Sequence, residues 1–219
     1  MTTTTAPAPC AAILLAAGAA RRMGERPKLL LKIDGESLLR RAARLAREAA
    51  ARPIIVVAGR HAESYRSELD SWTDRAAVSL VHHLDWAEGL GGSLRRGVAA
   101  LPADWPPEAT FFVLAPDQPL VSTPQLAGLR KLLEARPEVT AVACAYAGTV
   151  GVPALFRYAW RERLLTASGD VGARRFLSLY RREVAALPFP DGDCDIDTEE
   201  DYAAALSRLS APRHDATDT

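Results

Sequence analysis

Cysteine is scarce in this chain of 219 residues. Cys10, Cys144 and Cys194 are odd in number, far apart and never in a CxxC pair, which argues against a disulfide framework or a zinc knuckle. Net charge is also missing: 27 Lys and Arg balance 27 Asp and Glu, so no basic field invites nucleic acid or an anionic membrane surface. No stretch approaches the roughly 20 apolar residues of a membrane helix. The first nine residues, MTTTTAPAP, have neither the basic start nor the apolar run of a secretory signal. Free thiols without a leader or a span predict a cytoplasmic protein, with no nucleic-acid and no membrane partner.

What is present is a globular balance, 48% hydrophobic and 25% charged, in a length suited to one full α/β domain. The Thr-, Ala- and Pro-rich residues 1–9 and the polar residues 210–219 cannot bury much, so both are expected to be disordered tails around one domain at 10–209. Inside it, short apolar runs alternate with amphipathic ones. Strands are expected at 11–16, 54–58, 78–81, 111–115, 139–145 and 184–188. Helices are expected at 37–50, 61–71, 93–101, 123–135, 157–166, 171–182 and 199–209, with Ser93 as an N-cap. This alternation predicts an α/β fold, a Rossmann-like three-layer αβα sandwich on a mainly parallel sheet. In such sheets ligands sit beyond the carboxyl ends of the strands, so chemistry is sought just after each strand.

After the first strand the chain reads LAAGAARRMGERPK, from Leu15 to Lys28. Ala16, Ala17 and Gly18 let a base or phosphate approach the backbone, and glycine-loop N–H groups suit phosphate oxygens. Arg21-Arg22 and Lys28 add the charge a triphosphate needs, although a solvated basic turn would look similar. The segment is not a Walker A, because Gly24 is followed by Glu25, and it lacks the GxGxxG of dinucleotide-binding oxidoreductases. No Ser/His/Asp or Cys/His set suggests a covalent route.

Beyond the strand at 111–115, Asp117 is fixed between Pro116 and Pro119 in PDQPLV. A carboxylate there suits a hard cation such as magnesium, or else caps a turn. A second acidic run, DCDIDTEED, spans residues 193–201, where Asp197 or Thr198 could cap the following helix. His82 and His83 have no carboxylate or cysteine at ligand spacing and read as strand-end residues.

Taken in order, LAAGxxxRMGxxxK, EGLGGSL at 88–94, DQPLV, GVPALF at 151–156, GDVGAR at 169–174 and DIDTEED resemble the motifs of the molybdenum-cofactor nucleotidyltransferases, the MobA-like NTP transferases. The resemblance runs from about residue 11 to 202. It implies that Leu15, Ala16, Ala17 and Gly18 form the nucleotide site with Gly92 and Ser93. It also implies that Gly18, Arg22 and Lys28 hold the triphosphate, that Ala16 and Ala17 lie near the base, and that Asp117 and Asp197 bind Mg2+. Gly151, Pro153, Asp170, Arg174 and Asp195 would face the acceptor, although Arg174 could equally be an exposed helical arginine. The chain departs from the family where His83 replaces an expected asparagine, and where Thr149-Val150 precede Gly151. LAAG with DQPLV resembles the cytidylyl-transferring branch, against the LAGG of the guanylyl branch. What this implies is CMP transfer from CTP to molybdopterin with pyrophosphate release. GTP use, or a non-catalytic cofactor chaperone on the same scaffold, are the alternatives. The recipient implied is a molybdenum hydroxylase apoenzyme or its maturation factor.

Overall fold

A computed structural model describes residues 8–18, 26–73 and 75–210. Residues 1–7 and 211–219 of the tails expected at 1–9 and 210–219, and Arg21, Arg22 and Gly24 of the glycine-rich segment, lie outside the described residues. Pro9 already holds the sheet, its carbonyl accepting from Thr110 N at 2.9 Å, and the last helix runs through Ser210.

Seven strands form one sheet. They are β1 (Cys10–Ala16), β4 (Ile54–Ala58), β5 (Val78–His82), β6 (Thr110–Leu114), β7 (Ala141–Tyr146), β8 (Thr149–Arg157) and β9 (Val184–Pro188). A separate two-residue hairpin pairs β2 (Lys32–Ile33) with β3 (Glu36–Ser37). The order across the sheet is β5-β4-β1-β6-β8-β7-β9. All pairings are parallel except those of β8, which runs antiparallel to both β6 and β7.

Strand β1 shows why the sheet is sandwiched. Ala12 and Leu14 project into one apolar cluster, Ala11 and Ile13 into the other, and all four are fully buried. A strand buried on both faces reads as a continuous apolar run rather than an alternation. On the first face lie α1 (Leu38–Glu48), α2 (Ala62–Asp70), α4 (Thr123–Ala135) and α7 (Glu199–Ser210). On the second lie α3 (Leu90–Ala99), α5 (Arg161–Leu164) and α6 (Ala173–Leu179). The expected three-layer αβα fold is what the chain adopts.

The helix starts are local sequence effects. Ser37 Oγ accepts from Arg40 N at 3.2 Å to begin α1, and Ser122 Oγ accepts from Gln125 N at 3.4 Å to begin α4. Thr198 and Asp201 close a reciprocal capping box at α7, with Asp201 N to Thr198 Oγ1 at 3.1 Å and Thr198 N to Asp201 Oδ2 at 2.8 Å.

Three expectations need correction. Ser93 is not an N-cap; α3 starts three residues earlier, after Gly89, whose φ of 106° suits only glycine. Of the helix expected at 157–166 only the four residues of α5 are α-helical, after a strand end at Arg157 and a 3-10 turn at Tyr158–Trp160, and the one expected at 171–182 shortens to α6. The strand β8 was not expected at all. It follows a two-residue turn with positive φ at both Ala147 (48°) and Gly148 (72°), the geometry that matches strand twist in tight hairpins.

The topology places the site. From β1 the chain moves outward to β4 and β5, then returns to the other side of β1 with β6. The reversal lies between β1 and β6, and a crevice opens beyond their carboxyl ends. Residues 17–18 and 115–118 follow those two ends.

Candidate active site

A cleft of about 1360 Å³ occupies this crevice. A pocket for one drug-sized ligand measures roughly 300–1,000 Å³, so this cleft has room for two substrates side by side. Leu15, Ala17, Gly18, Ser93, Asp117 and Asp195 line it. Val152, Asp170 and Arg174 line the same cleft. Residues expected near the nucleotide and residues expected near the acceptor therefore share one cleft.

Asp117 sits in the turn after β6. Its carbonyl accepts from Ile196 N at 3.0 Å, which stitches the acidic 193–201 segment to the β6 turn. Into this junction reaches Lys28, from a 3-10 turn at Lys28–Leu30. Its ammonium donates to Asp117 Oδ2 at 2.6 Å, to Asp197 Oδ1 at 2.8 Å and to the Ile196 carbonyl at 3.0 Å. Lys28 is only 7% exposed. Burial pulls its pKa down, but the charges and hydrogen bonds of Asp117 and Asp197 outweigh that, so it stands above the ordinary 10.5 and stays protonated.

Asp195 completes an acid-rich corner. Burial, and then the Asp117 charge, push its pKa up to about 6. Three carboxylates thus meet one ammonium, and the corner favours further positive charge.

Magnesium fits this donor set in a limited way. Asp117 and Asp197 already converge on one cationic point, the Lys28 nitrogen. Among the described residues no group of three or more His, Cys, Asp and Glu is arranged to hold a metal. Magnesium usually takes one or two carboxylates and leaves other positions to water and substrate phosphates. The pair therefore suits an ion shared with a phosphorylated substrate rather than a metal caged by protein.

The remaining expected residues lie close behind. A side chain on Gly92 would fall 2.7 Å from Glu88 Oε2 and 2.9 Å from His83 Nε2, so only glycine fits there. Gly91 N donates to Gly169 O at 2.8 Å, which holds the EGLGGSL turn against the GDVGAR turn. Gly151 lies against the Tyr146 hydroxyl, while Ala16 and Pro153 belong to β1 and β8 behind the cleft surface. Arg174 stacks over the Tyr146 ring at 5.8 Å. Arg22 lies outside the described residues.

Sequence reasoning passed over Gln118, which is 6% exposed and lines the cleft. Its Nε2 donates to Gly192 O at 2.8 Å and Val152 O at 3.2 Å, tying the turn after β6 to β8 and to the acidic segment. The signal was its place beside Asp117 between two prolines. Arg175, next to Arg174 in the cleft, was also missed.

Residues 12–185 match the MobA-like NTP transferase domain. The chain belongs to this family of nucleotidyltransferases. It is 31% identical over 179 residues to the nicotine blue oxidoreductase of Paenarthrobacter nicotinovorans, covering 77% of this chain and 82% of that protein. It is 30% identical over 185 residues to a probable molybdenum cofactor guanylyltransferase of Opitutus terrae, covering 81% and 84%. Among solved structures it resembles Rv0371c of Mycobacterium tuberculosis H37Rv in complex with manganese, with a TM-score of 0.69 and 26% identity over 92% of this chain and all of that one. Among the described residues no helix is long and apolar enough to cross a membrane.

Proposed function

We propose that this nucleotidyltransferase moves CMP from CTP onto molybdopterin, with release of pyrophosphate and dependence on Mg2+. The observation that carries the reading is the convergence of Asp117 and Asp197 on one cationic point beside a cleft sized for two substrates. The guanylyltransferase relative supports the acceptor class, and the manganese complex supports use of a divalent ion. CTP rather than GTP rests on Leu15-Ala16-Ala17-Gly18 with the DQPLV turn, features of the cytidylyl branch.

In this mechanism a phosphate oxygen of the acceptor attacks the α-phosphorus in line as pyrophosphate leaves. A phosphate acceptor is ionised near neutral pH, so positioning and charge neutralisation suffice without a strong base. Leu15, Ala17 and Ser93 bind the nucleoside end, and Gly18 lies at the phosphates. Arg22 and Lys28 hold the phosphates that depart. Asp170 and Arg174 orient the acceptor, and Gln118 keeps the turn of Asp117 in register with β8. Asp117 and Asp197 would hold the Mg2+, which would supply neutralisation of phosphate charge. The product passes to a molybdenum hydroxylase apoenzyme or its maturation factor.

The test is pyrophosphate release by the purified protein with magnesium and molybdenum-loaded molybdopterin, offering CTP, GTP and ATP separately. Release with CTP alone is the expected result. Release with GTP alone keeps the chemistry and replaces the base. Silence with all three moves the acceptor or favours the chaperone reading. The oxidoreductase relative motivates one further arm, NAD(P)H oxidation with a dye acceptor, for which no activity is expected because the chain has no GxGxxG.

A further inference from the structure

An ammonium group has three donors, and on Lys28 all three are in use. They go to Asp117, Asp197 and the Ile196 carbonyl, at 2.6, 2.8 and 3.0 Å. None remains for a phosphate. Nor can a divalent ion reach the shared point while the nitrogen is there. Magnesium binds carboxylate oxygens at about 2.0–2.1 Å, and two cations cannot occupy one position.

We propose that Lys28 is a tethered counter-ion that holds the paired carboxylates until a divalent cation displaces it from at least one of them, freeing its ammonium for the triphosphate. The inference rests on the reading of the reaction given above for where the freed ammonium goes, but not for the displacement itself.

The physical case is local. Asp117 and Asp197 come from different chain segments and carry like charge, with Asp195 close by. Without a cation between them they would repel, and the acidic segment would lose one of its ties to the β6 turn. Lys28 supplies that cation from inside the protein, and its burial keeps the contact short and little screened. The arriving ion takes over the same neutralisation, so the lysine can leave without stranding either carboxylate. Its nearest new partner of opposite charge is the phosphate that arrives with the ion. One exchange thus couples metal binding to phosphate binding.

The experiment is Mn2+ binding to the nucleotide-free full chain, read by electron paramagnetic resonance, for wild type and Lys28→Met. Methionine keeps an unbranched stem of similar reach without charge. The variant is expected to bind Mn2+ at least about tenfold more tightly than wild type. It is also expected to melt at lower temperature in EDTA and to regain most of that loss with Mn2+. Equal or weaker Mn2+ binding by the variant overturns the proposal.

Should Lys28→Met fail to fold, wild type alone decides. Lys28, Lys32 and Lys131 are the chain's three lysines, so carbon-13 lysine labelling gives an assignable spectrum. The Lys28 ε-carbon signal is expected to move on saturation with Mg2+ while those of Lys32 and Lys131 stay. A stationary Lys28 signal at saturation overturns the displacement. The reaction is judged separately, by pyrophosphate release from wild type with CTP, so the two readings can fail independently.

Discussion

Asp117 makes two kinds of contact that one substitution separates. Its backbone carbonyl accepts from Ile196 N, and its side chain accepts from Lys28. Asp117→Asn keeps the backbone bond and the shape while removing the charge. Turnover is expected to fall about a hundredfold or more, equivalent to roughly 2.7 kcal/mol of barrier. The melting temperature should shift far less, because Lys28 keeps Asp197 and the Ile196 carbonyl. Steady-state rates beside a thermal melt check this; a large melting loss with little kinetic loss would make Asp117 structural. His83 gives the opposite case, a residue whose effect is on stability. It is fully buried, and neither ring nitrogen has a hydrogen-bond partner among the described residues. Burial, then the Arg96 charge, lower its pKa, with Glu88 and Asp85 opposing. The unfolded chain therefore binds that proton more readily. The contribution of His83 to stability is whole above its unfolded pKa of about 6.5 and is lost as the pH falls below it. Asp195, held up to about 6, acts in the reverse sense, its contribution fading as pH rises through that value, and it is common to both proteins. His83→Leu should lose less melting temperature between pH 7 and pH 5 than wild type does. Parallel losses would show that His83 does not titrate against folding.

At the scale of elements, helix α3 depends on a close approach. A Cβ on Gly97 would press into Ile13 Cγ2 and lie 3.0 Å from Val57 Cγ2, so the helix rests on β1 and β4 through that glycine. Overpacking of this kind costs about 1–3 kcal/mol. In a protein of this size each kcal/mol moves the melting temperature by about 2–4 °C. Gly97→Ala should therefore melt several degrees lower, and an unchanged melt would mean that α3 can lift off the sheet at no cost. Most elements were legible because buried parallel strands are continuous apolar runs, and IIVVA or TFFVL can hardly read otherwise. The strand β8 was not legible, because Gly151 and Pro153 both argue against a central strand. The structure tolerates them because Tyr146 packs over Gly151 and the partner β7 shifts register between Ala143 and Cys144. The site was legible in part. Asp117 stood out by following a buried strand, and the two acidic segments could be named. Nothing in spacing showed that Lys28 would spend all its donors between them, because that contact joins residues 89 and 169 positions apart. Gln118 was obscured for a similar reason: its partners are distant backbone carbonyls.

At the scale of the whole molecule, zero net charge conceals an uneven distribution. The corner with Asp117, Asp195 and Asp197 has a single lysine, while Arg174 and Arg175 line the same cleft. A triphosphate without metal meets the acidic corner with like charge, and its approach is opposed. A metal without nucleotide finds two carboxylates already engaged by Lys28. Each ligand removes the obstacle to the other, so the pair should bind with positive coupling, and by linkage the coupling is the same in both directions. Stabilisation by a bound ligand reaches about 2.7 kcal/mol at a hundred times the dissociation constant. At about 2–4 °C per kcal/mol this gives a rise of roughly 5–10 °C. Thermal melts of wild type should show little change with CTP in EDTA and little with Mg2+ alone at concentrations well below saturation. CTP with Mg2+ should raise the midpoint by more than the sum of the two. An equal rise with CTP in EDTA would mean that the triphosphate binds by Lys28 and the arginines without help from an ion. The acidic pair would then serve to anchor Lys28 rather than to bind metal.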